Sequence, residues 1–204
     1  MSLQDLSFKL YTDSALTNLA VNPLQITHQS DFSDNPRDYV YYFGSPLVDR
    51  VLYANSNPGV DQITLAPASL LPVWEAEQPR SLGYSAYPTV ENNRRYVITT
   101  PGTTGATEPT WPTAIGSTVA DGGAIWTCVA EAHSPTEIKL ATSLVGLDTA
   151  TAGAGLSIGT QIDGGSANAV ELHVRITNAV STVSNNSAQP ELGLDINEVI
   201  ETAE

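Results

Sequence analysis

The sequence predicts an all-β protein, built as an antiparallel sandwich that carries a small inserted module. Two observations support this fold class. Apolar and polar residues alternate in many short segments, and turn-forming residues separate these segments at intervals of roughly eight to twelve residues. The clearest alternation, at residues 170–177, puts Val170, Leu172, Val174 and Ile176 on one face. No stretch shows helical periodicity with caps, and residues 141–153 are the only ambiguous case.

The alternating segments define the predicted strands in order. They are residues 6–10, 24–28, 39–44, 51–54, 61–65, 96–99, 124–129, 136–141, 156–162, 170–177 and 192–196. Asp121-Gly122 and Asp163-Gly164-Gly165 have the residue types of tight hairpin turns. The acidic end of the chain, residues 198–204, is predicted to fray. The edge strand at 138–141 carries few charges and is suited to pairing between subunits.

Composition divides the chain into two parts. Residues 72–133 contain all three tryptophans and the single cysteine. Residues 1–71 and 134–204 share alternating strands and small residues instead. We therefore predict that 1–71 plus 134–204 form the sandwich and that 72–133 form an inserted β module rich in Trp, Pro and Gly. Trp74, Tyr96 and Trp126 are assigned to the core of this module, because large rings fill a small core efficiently.

The charge balance restricts the classes of partner. The chain has 22 acidic and 8 basic residues, a formal net charge of −14. Nucleic-acid binding is disfavoured because phosphate neutralisation needs clustered Lys and Arg. No secretory signal or membrane-spanning segment is evident, so no membrane partner is expected. One cysteine, Cys128, excludes an intrachain disulfide and fits assembly in a reducing cytoplasm.

Motifs for catalysis are not evident in the sequence. The three histidines (His28, His133 and His173) lack metal-ligand spacing, and no nucleophile elbow, phosphate loop or dinucleotide fingerprint occurs. Cys128 fits a small buried hydrophobe better than a nucleophile. We therefore expect no enzymatic activity and no cofactor. A pair of carboxylates that meets only in the fold remains an open alternative.

Two groups of residues are candidates for binding. Asp31, Asp34 and Asp38 are a weak candidate for a calcium site, although turn formation beside Arg37 is the favoured interpretation. Trp111 and Tyr87 lie in proline-flanked loops and are predicted to expose their rings. Together with Tyr84 they could contact a glycan or a neighbouring protein, because sugars stack on exposed aromatic rings. For Trp111, packing against its own loop is the preferred alternative.

Two motifs of the inserted segment resemble a known repeat. The residues are Gly-Thr-Thr-Gly-Ala-Thr-Glu-Pro-Thr-Trp-Pro at 102–112 and Asp-Gly-Gly-Ala-Ile-Trp at 121–126. They look like a repeat of tailed-phage tail and fibre proteins. The order Trp74, Gly83, Asn92–Tyr96, Gly105, Glu108-Pro109 and Trp126 also resembles small chitin-binding-type modules. Asn92-Asn93-Arg94-Arg95 departs from the Asn-Gly turn of those modules, so the resemblance alone does not assign a sugar site to this chain.

The flanking halves are similar to immunoglobulin-like sandwiches of phage virion proteins, through residues 28–31, 38–44 and 170–177. These resemblances imply a non-enzymatic virion structural protein. The expected form is a decoration or minor capsid protein that docks on the particle lattice and is displayed on the exterior. A tail or tail-fibre role, or a carbohydrate-binding adhesion module, is the alternative. The implied partners are capsid or tail proteins and other copies of the chain, as a trimer or hexamer. Assembly would take place in the cytoplasm of the bacterial host.

Overall fold

Strands dominate the computed structural model, which describes residues 6–21, 24, 35–178 and 192–203. About 45% of the described residues are in strands and 6% in helices, and the strands form several antiparallel sheets. The predicted all-β fold class is therefore confirmed. Of the predicted strand at 24–28, only Leu24 lies within the described residues.

The described residues form sixteen strands and three short helical turns. The first ten strands are β1 (Lys9–Tyr11), β2 (Arg37–Gly44), β3 (Arg50–Ala54), β4 (Ile63–Ser69), β5 (Pro79–Arg80), β6 (Ser85–Ala86), β7 (Arg94–Thr100), β8 (Gly102–Thr103), β9 (Thr118–Asp121) and β10 (Ala124–Glu131). The others are β11 (Ile138–Ala141), β12 (Leu156–Gly159), β13 (Gln161–Asp163), β14 (Val170–Ile176), β15 (Leu192–Ile196) and β16 (Val199–Ala203). Helix α1 spans Gly146–Thr149, and two 3-10 turns span Pro135–Glu137 and Ser166–Asn168. None of the helices within the described ranges is long and apolar enough to cross a membrane.

The chain divides into two compact units. Unit 2 contains Ser69–Ser134, together with residues 179–184, which lie outside the described residues. Unit 1 contains the remaining segments, Met1–Ala68, Pro135–Asn178 and Asn185–Glu204. The middle of the chain thus forms a unit of its own, and the segments on either side combine into the other.

Unit 1 consists of three antiparallel sheets around one core. Their strand orders are β1-β2-β14-β11, β12-β4-β15 and β13-β3-β16. The alternation in β14 determines which side faces the core: Leu172, Val174 and Ile176 are fully buried, as the sequence predicts. Phe43 and Leu140 from the same sheet join them, and residues from the other two sheets complete the cluster, including Leu52, Ile63, Leu65, Leu194 and Val199.

Three sequence predictions for unit 1 are wrong. The acidic end does not fray, because Val199–Ala203 pairs along β3 and buries Val199. Residues 156–162 are two strands in different sheets, separated beside Gly159, whose φ of +125° favours glycine. Gly164-Gly165 does not close a tight hairpin, because β13 pairs with β3 while β14 pairs with β2. The ambiguous stretch at 141–153 contains the single-turn helix α1.

Unit 2 consists of a four-stranded antiparallel sheet, ordered β6-β7-β10-β9, and the small pair β5-β8. In β7 and β10, Tyr96, Ile98, Trp126 and Cys128 face the core and are fully buried. Trp74, Tyr84, Trp111 and Val119 are partly buried and pack against them. The predicted turn after Asp121 joins β9 to β10, with Asp121 opposite Ala124 and Gly122 at a φ of +60°.

Candidate functional site

A buried carboxylate at the β9–β10 turn is the centre of unit 2. Asp121 is 3% exposed, and it lies at the end of β9, where the chain reverses through Gly122 and Gly123. A Cβ atom on Gly122 would lie 2.5 Å from the carbonyl oxygen of Thr103, so only glycine allows the turn to approach the loop after β8 so closely. The turn glycines therefore position the Asp121 carboxylate inside the unit.

Asp121 accepts three hydrogen bonds, two of them from tryptophan rings. The Nε1 atoms of Trp74 and Trp126 donate to its Oδ2 atom at 2.8 and 2.9 Å. The backbone nitrogen of Gly105 donates to its Oδ1 atom at 2.7 Å. One side chain thus connects the first and last segments of unit 2 to the loop between them. A buried carboxylate needs such donors to offset the loss of water.

The third tryptophan is held by a second carboxylate, that of Glu108. The Nε1 atom of Trp111 donates to Oε1 of Glu108 at 2.8 Å, and the backbone nitrogen of Thr89 donates to the same atom at 2.8 Å. The hydroxyl group of Thr89 donates to Oε2. Burial alone would raise the pKa of Glu108, but the bonds from Thr89 and Trp111 outweigh it and hold the pKa below its usual value. We call Trp74, Trp111, Trp126, Asp121 and Glu108 the indole–carboxylate cluster.

The rings of the cluster also contact one another and the core of the sheet. The centroid of Trp111 is 4.4 Å from that of Tyr96 and 5.5 Å from that of Trp126, in tilted and edge-on arrangements. The Tyr96 hydroxyl donates to the carbonyl oxygen of Pro112 at 2.9 Å and accepts from Nδ2 of Asn92 at 2.7 Å. Trp111 therefore packs on the aromatic rings of the sheet, and only its bond to Glu108 lies within its own loop.

The cluster fixes a loop that has little regular structure of its own. Between β8 and β9 the chain runs for fourteen residues without a helix or strand. Gly105 is bound by Asp121, Trp111 by Glu108, and the carbonyl of Thr113 by the Nε atom of Arg94 at 2.7 Å. Side chains thus supply the hydrogen bonds that a sheet would otherwise provide, and the loop acquires one defined conformation.

The remaining candidate rings are less exposed than the sequence suggests. Tyr87 is 4% exposed, so the prediction of an exposed ring there is wrong. The reason is a bridge between Val73 and Tyr87, in which the Tyr87 carbonyl accepts from the nitrogen of Trp74 at 2.7 Å and draws the segment onto the unit. Tyr84 is half-buried, and the guanidinium of Arg80 lies 4.2 Å from its ring centroid.

Asp38 is the only one of the three metal candidates that the structure describes, because Asp31 and Asp34 lie outside the described residues. Asp38 is in strand β2 rather than in a turn, and it accepts two hydrogen bonds from Arg175, at 2.7 and 2.8 Å. These bonds lower the pKa of Asp38. Within the described ranges, no group of three or more His, Cys, Asp or Glu side chains could hold a metal ion.

The role of Asp121 as an acceptor for two indoles is what reasoning from the sequence missed. Asp-Gly before a strand is an ordinary turn signal, and this signal says nothing about where the carboxylate points. Trp74 lies 47 residues away in the sequence, so only the folded chain brings it to Asp121. The nearest hint is that Asp121 and Trp126 flank one turn, which places both in adjacent strands.

Comparison of this chain with known proteins identifies no similar family, protein or structure: no family model, no curated protein and no solved structure matches it. The resemblance of residues 102–112 and 121–126 to a phage repeat therefore depends on those two motifs alone.

Proposed function

We propose that this chain is a non-enzymatic structural protein of a tailed-phage particle and that unit 2 is a rigid module displayed on it. One observation carries the proposal. The residues through which the sequence resembles the tail and fibre repeat include Gly105, Glu108, Trp111, Asp121 and Trp126, and these residues form or are held by the indole–carboxylate cluster. The motif residues thus have a structural role in this chain, because their hydrogen bonds hold the long loop of unit 2 against its sheet.

A displayed module needs a fixed shape without a large core. Unit 2 has one sheet of four strands, and small domains bury too little apolar area to be stabilised by packing alone. Hydrogen bonds from three indoles and two backbone nitrogens to two carboxylates add directional contacts to this small core. In this proposal the cluster keeps the long loop in one conformation, so that every copy on a particle presents the same surface.

Unit 1 takes the docking role in this proposal, as an immunoglobulin-like sandwich on the capsid or tail lattice. Its three sheets share one core, which gives a stable body for a contact with other virion proteins. The net charge of −14 supports a position on the exterior, since like charges keep densely displayed particles from clumping. We therefore favour a decoration or minor capsid protein over a tail protein.

The test is the protein composition of the particle. Tailed particles would be purified from the lysate of the phage or lysogen whose genome encodes this chain and examined by mass spectrometry. We expect the chain in many copies per particle, and immunogold labelling on the head rather than the tail. Absence from purified particles would contradict the proposal, and tail labelling would move the protein from the capsid to the tail.

Glycan binding by unit 2 is a second candidate. It is favoured by Tyr84 and Trp111, which are aromatic residues of unit 2 that are only partly buried. Tryptophan fluorescence would be followed while chitin oligosaccharides or cell-wall glycan are added to wild type and to Trp111→Phe. Quenching in wild type that weakens in the variant would support a sugar site at Trp111. Unchanged fluorescence with no retention on insoluble glycan would leave the module with its structural role.

A further inference from the structure

The open edge of the four-stranded sheet in unit 2 is strand β9. Within the described chain, its one neighbour is β10. Along β9, residues alternate between those that bond to β10 and those whose backbone groups point away from it. The two-residue turn at Gly122-Gly123 sets this alternation, because Asp121 and Ala124 exchange backbone hydrogen bonds across it. The nitrogen of Cys128 donates to the carbonyl of Ser117 at 2.9 Å, which fits the same alternation. Val119 therefore bonds to β10, whereas the N–H and C=O groups of Thr118 and Ala120 point outward.

The exposed part of this edge lacks the charges that usually prevent strand pairing: the one charged residue of β9, Asp121, is buried, and its carboxylate is bound within unit 2. Edge strands are commonly protected by charged side chains, proline or bulges, or are kept very short. The other edge of the same sheet, β6, has two residues. In unit 1, β1 and β11 carry lysines, so the strand at 138–141 is less suited to pairing than the sequence suggests. Of the other edge strands, β13, β15 and β16 carry Asp163, Asp195 and Glu201, and β12 has a register shift. The outward-directed residues of β9 are a threonine and an alanine, both exposed.

We propose that β9 pairs antiparallel with β9 of a second copy of this chain, so that the two four-stranded sheets join into one. A two-fold axis at Val119 puts Thr118 opposite Ala120 of the second copy, and Ala120 opposite its Thr118. Each of these two pairs exchanges both backbone bonds. The two Val119 side chains lie opposite each other in the closer, non-hydrogen-bonded pair, on the sheet face that carries Trp126. The interface is isologous, as a two-fold contact requires.

The register selects a second copy as the partner, because Thr118 and Ala120 pair with each other across a two-fold axis, and the local absence of charge permits the contact. With 22 acidic residues and a net charge of −14, two copies repel each other over most of their surfaces. The sheet face beside the β9 edge carries Thr99, Thr118, Ala120, Ile125 and Thr127 and so has no carboxylate at those positions. A contact there brings two uncharged surfaces together and keeps the acidic residues apart. Such an interface strengthens when salt screens the repulsion, whereas a contact built on ion pairs weakens.

The first experiment compares full-length wild type with Ala120→Pro by sedimentation velocity, over a range of protein concentrations at low and high salt. Proline removes an outward N–H that makes no bond within the sheet, so the fold is retained and the edge is blocked. We expect wild type to dimerise with increasing concentration, more strongly at high salt, and Ala120→Pro to stay monomeric. A monomeric wild type, equal association of the variant, or dimers that dissociate with salt would overturn the pairing.

Cross-linking tests the register and does not depend on the proline variant. The Val119→Cys thiols lie opposite each other in the proposed pair, whereas the Thr118→Cys thiols each face Ala120. Thr118 is the more exposed residue, so random collisions would favour cross-linking at 118. Under mild oxidation we expect Val119→Cys to form disulfide-linked dimers roughly ten-fold faster, because pairing holds its thiols close together. Equal rates, or faster cross-linking at 118, would refute the register.

The pairing does not require a phage particle. A chain absent from particles could still dimerise in solution, and a virion protein could be monomeric before assembly. Failure of either proposal is therefore distinguishable from failure of the other.

Discussion

Replacing Asp121 with asparagine tests whether the indole–carboxylate cluster stabilises unit 2. The amide group of Asn offers one oxygen where the carboxylate offers two. Whichever way the Asn amide is oriented, its NH2 group faces another donor. That donor is either the backbone nitrogen of Gly105 or the Nε1 atoms of Trp74 and Trp126. A buried donor without a partner costs roughly 1–3 kcal/mol, and bonds to a charged acceptor are worth more than neutral ones. We expect Asp121→Asn to destabilise unit 2 by about 2–4 kcal/mol.

Urea unfolding followed by tryptophan fluorescence measures this loss. All three tryptophans lie in unit 2, so the fluorescence reports on that unit alone. A small unit unfolds with a slope of about 1 kcal/mol per M urea, so its midpoint should fall by about 2–4 M. Total stabilities of small domains start at about 5 kcal/mol, so at that stability the variant would lose roughly 40–80% of the free energy of unfolding of unit 2.

The matched control is Glu91→Gln, which changes an exposed carboxylate in the same unit. Surface substitutions of this kind change stability by no more than about 0.5 kcal/mol. If Asp121→Asn shifts the midpoint no more than Glu91→Gln does, the cluster does not stabilise unit 2 and the argument for a rigid module fails.

Three further predictions concern single side chains. Bonds from Thr89 and Trp111 lower the pKa of Glu108 in the folded protein. The stability that this group contributes is therefore present above its unfolded pKa of about 4.3 and is lost as the pH falls through the lower folded value. Glu108→Gln should make the urea midpoint measured by fluorescence fall less at acid pH, and an unchanged pH profile would contradict this. Burial raises the pKa of the Cys128 thiol, so a thiol reagent should modify it only as urea unfolds unit 2, and complete labelling of the native protein would refute this. The Glu201 carboxylate accepts hydrogen bonds from the hydroxyl and the backbone nitrogen of Ser7 at 2.5 and 2.8 Å. Glu201→Gln should therefore lower the stability of unit 1 by about 1–2 kcal/mol. An unchanged thermal unfolding midpoint, measured by circular dichroism, would count against this prediction.

The strands were predictable wherever alternation was strong. Residues 170–177 have β-branched and leucine side chains on one face and charged side chains on the other, so burying the apolar face determines both the strand and its orientation. The C-terminal strand was not predictable in this way. Val199 to Ala203 contains one buried residue and one glutamate, and it becomes a strand only because β3 supplies a partner. The propensity of such a short segment is too weak to decide without its neighbour.

The candidate site divides in the same way. Period two in β10 indicates that Trp126 and Cys128 share a face, and both are buried. Exposure of Tyr87 could not be judged from its prolines, because the bridge to Val73 is a long-range contact. The edge position of β9 is also a property of the whole sheet, since a strand is open only when no other strand lies beside it.

By itself, the sequence determined the all-β class, most of the strands, the separate character of the tryptophan-rich segment and the acidic charge. These properties depend on local patterns and composition, which act over a few neighbouring residues or over the chain as a whole. Only the tertiary structure decided that Asp121 binds Trp74 and Trp126, that Glu108 binds Trp111 and that Thr118 and Ala120 direct their backbone groups outward. The physical reason is that hydrogen bonds are short and directional. They therefore depend on which distant residues the fold brings within about 3 Å of one another.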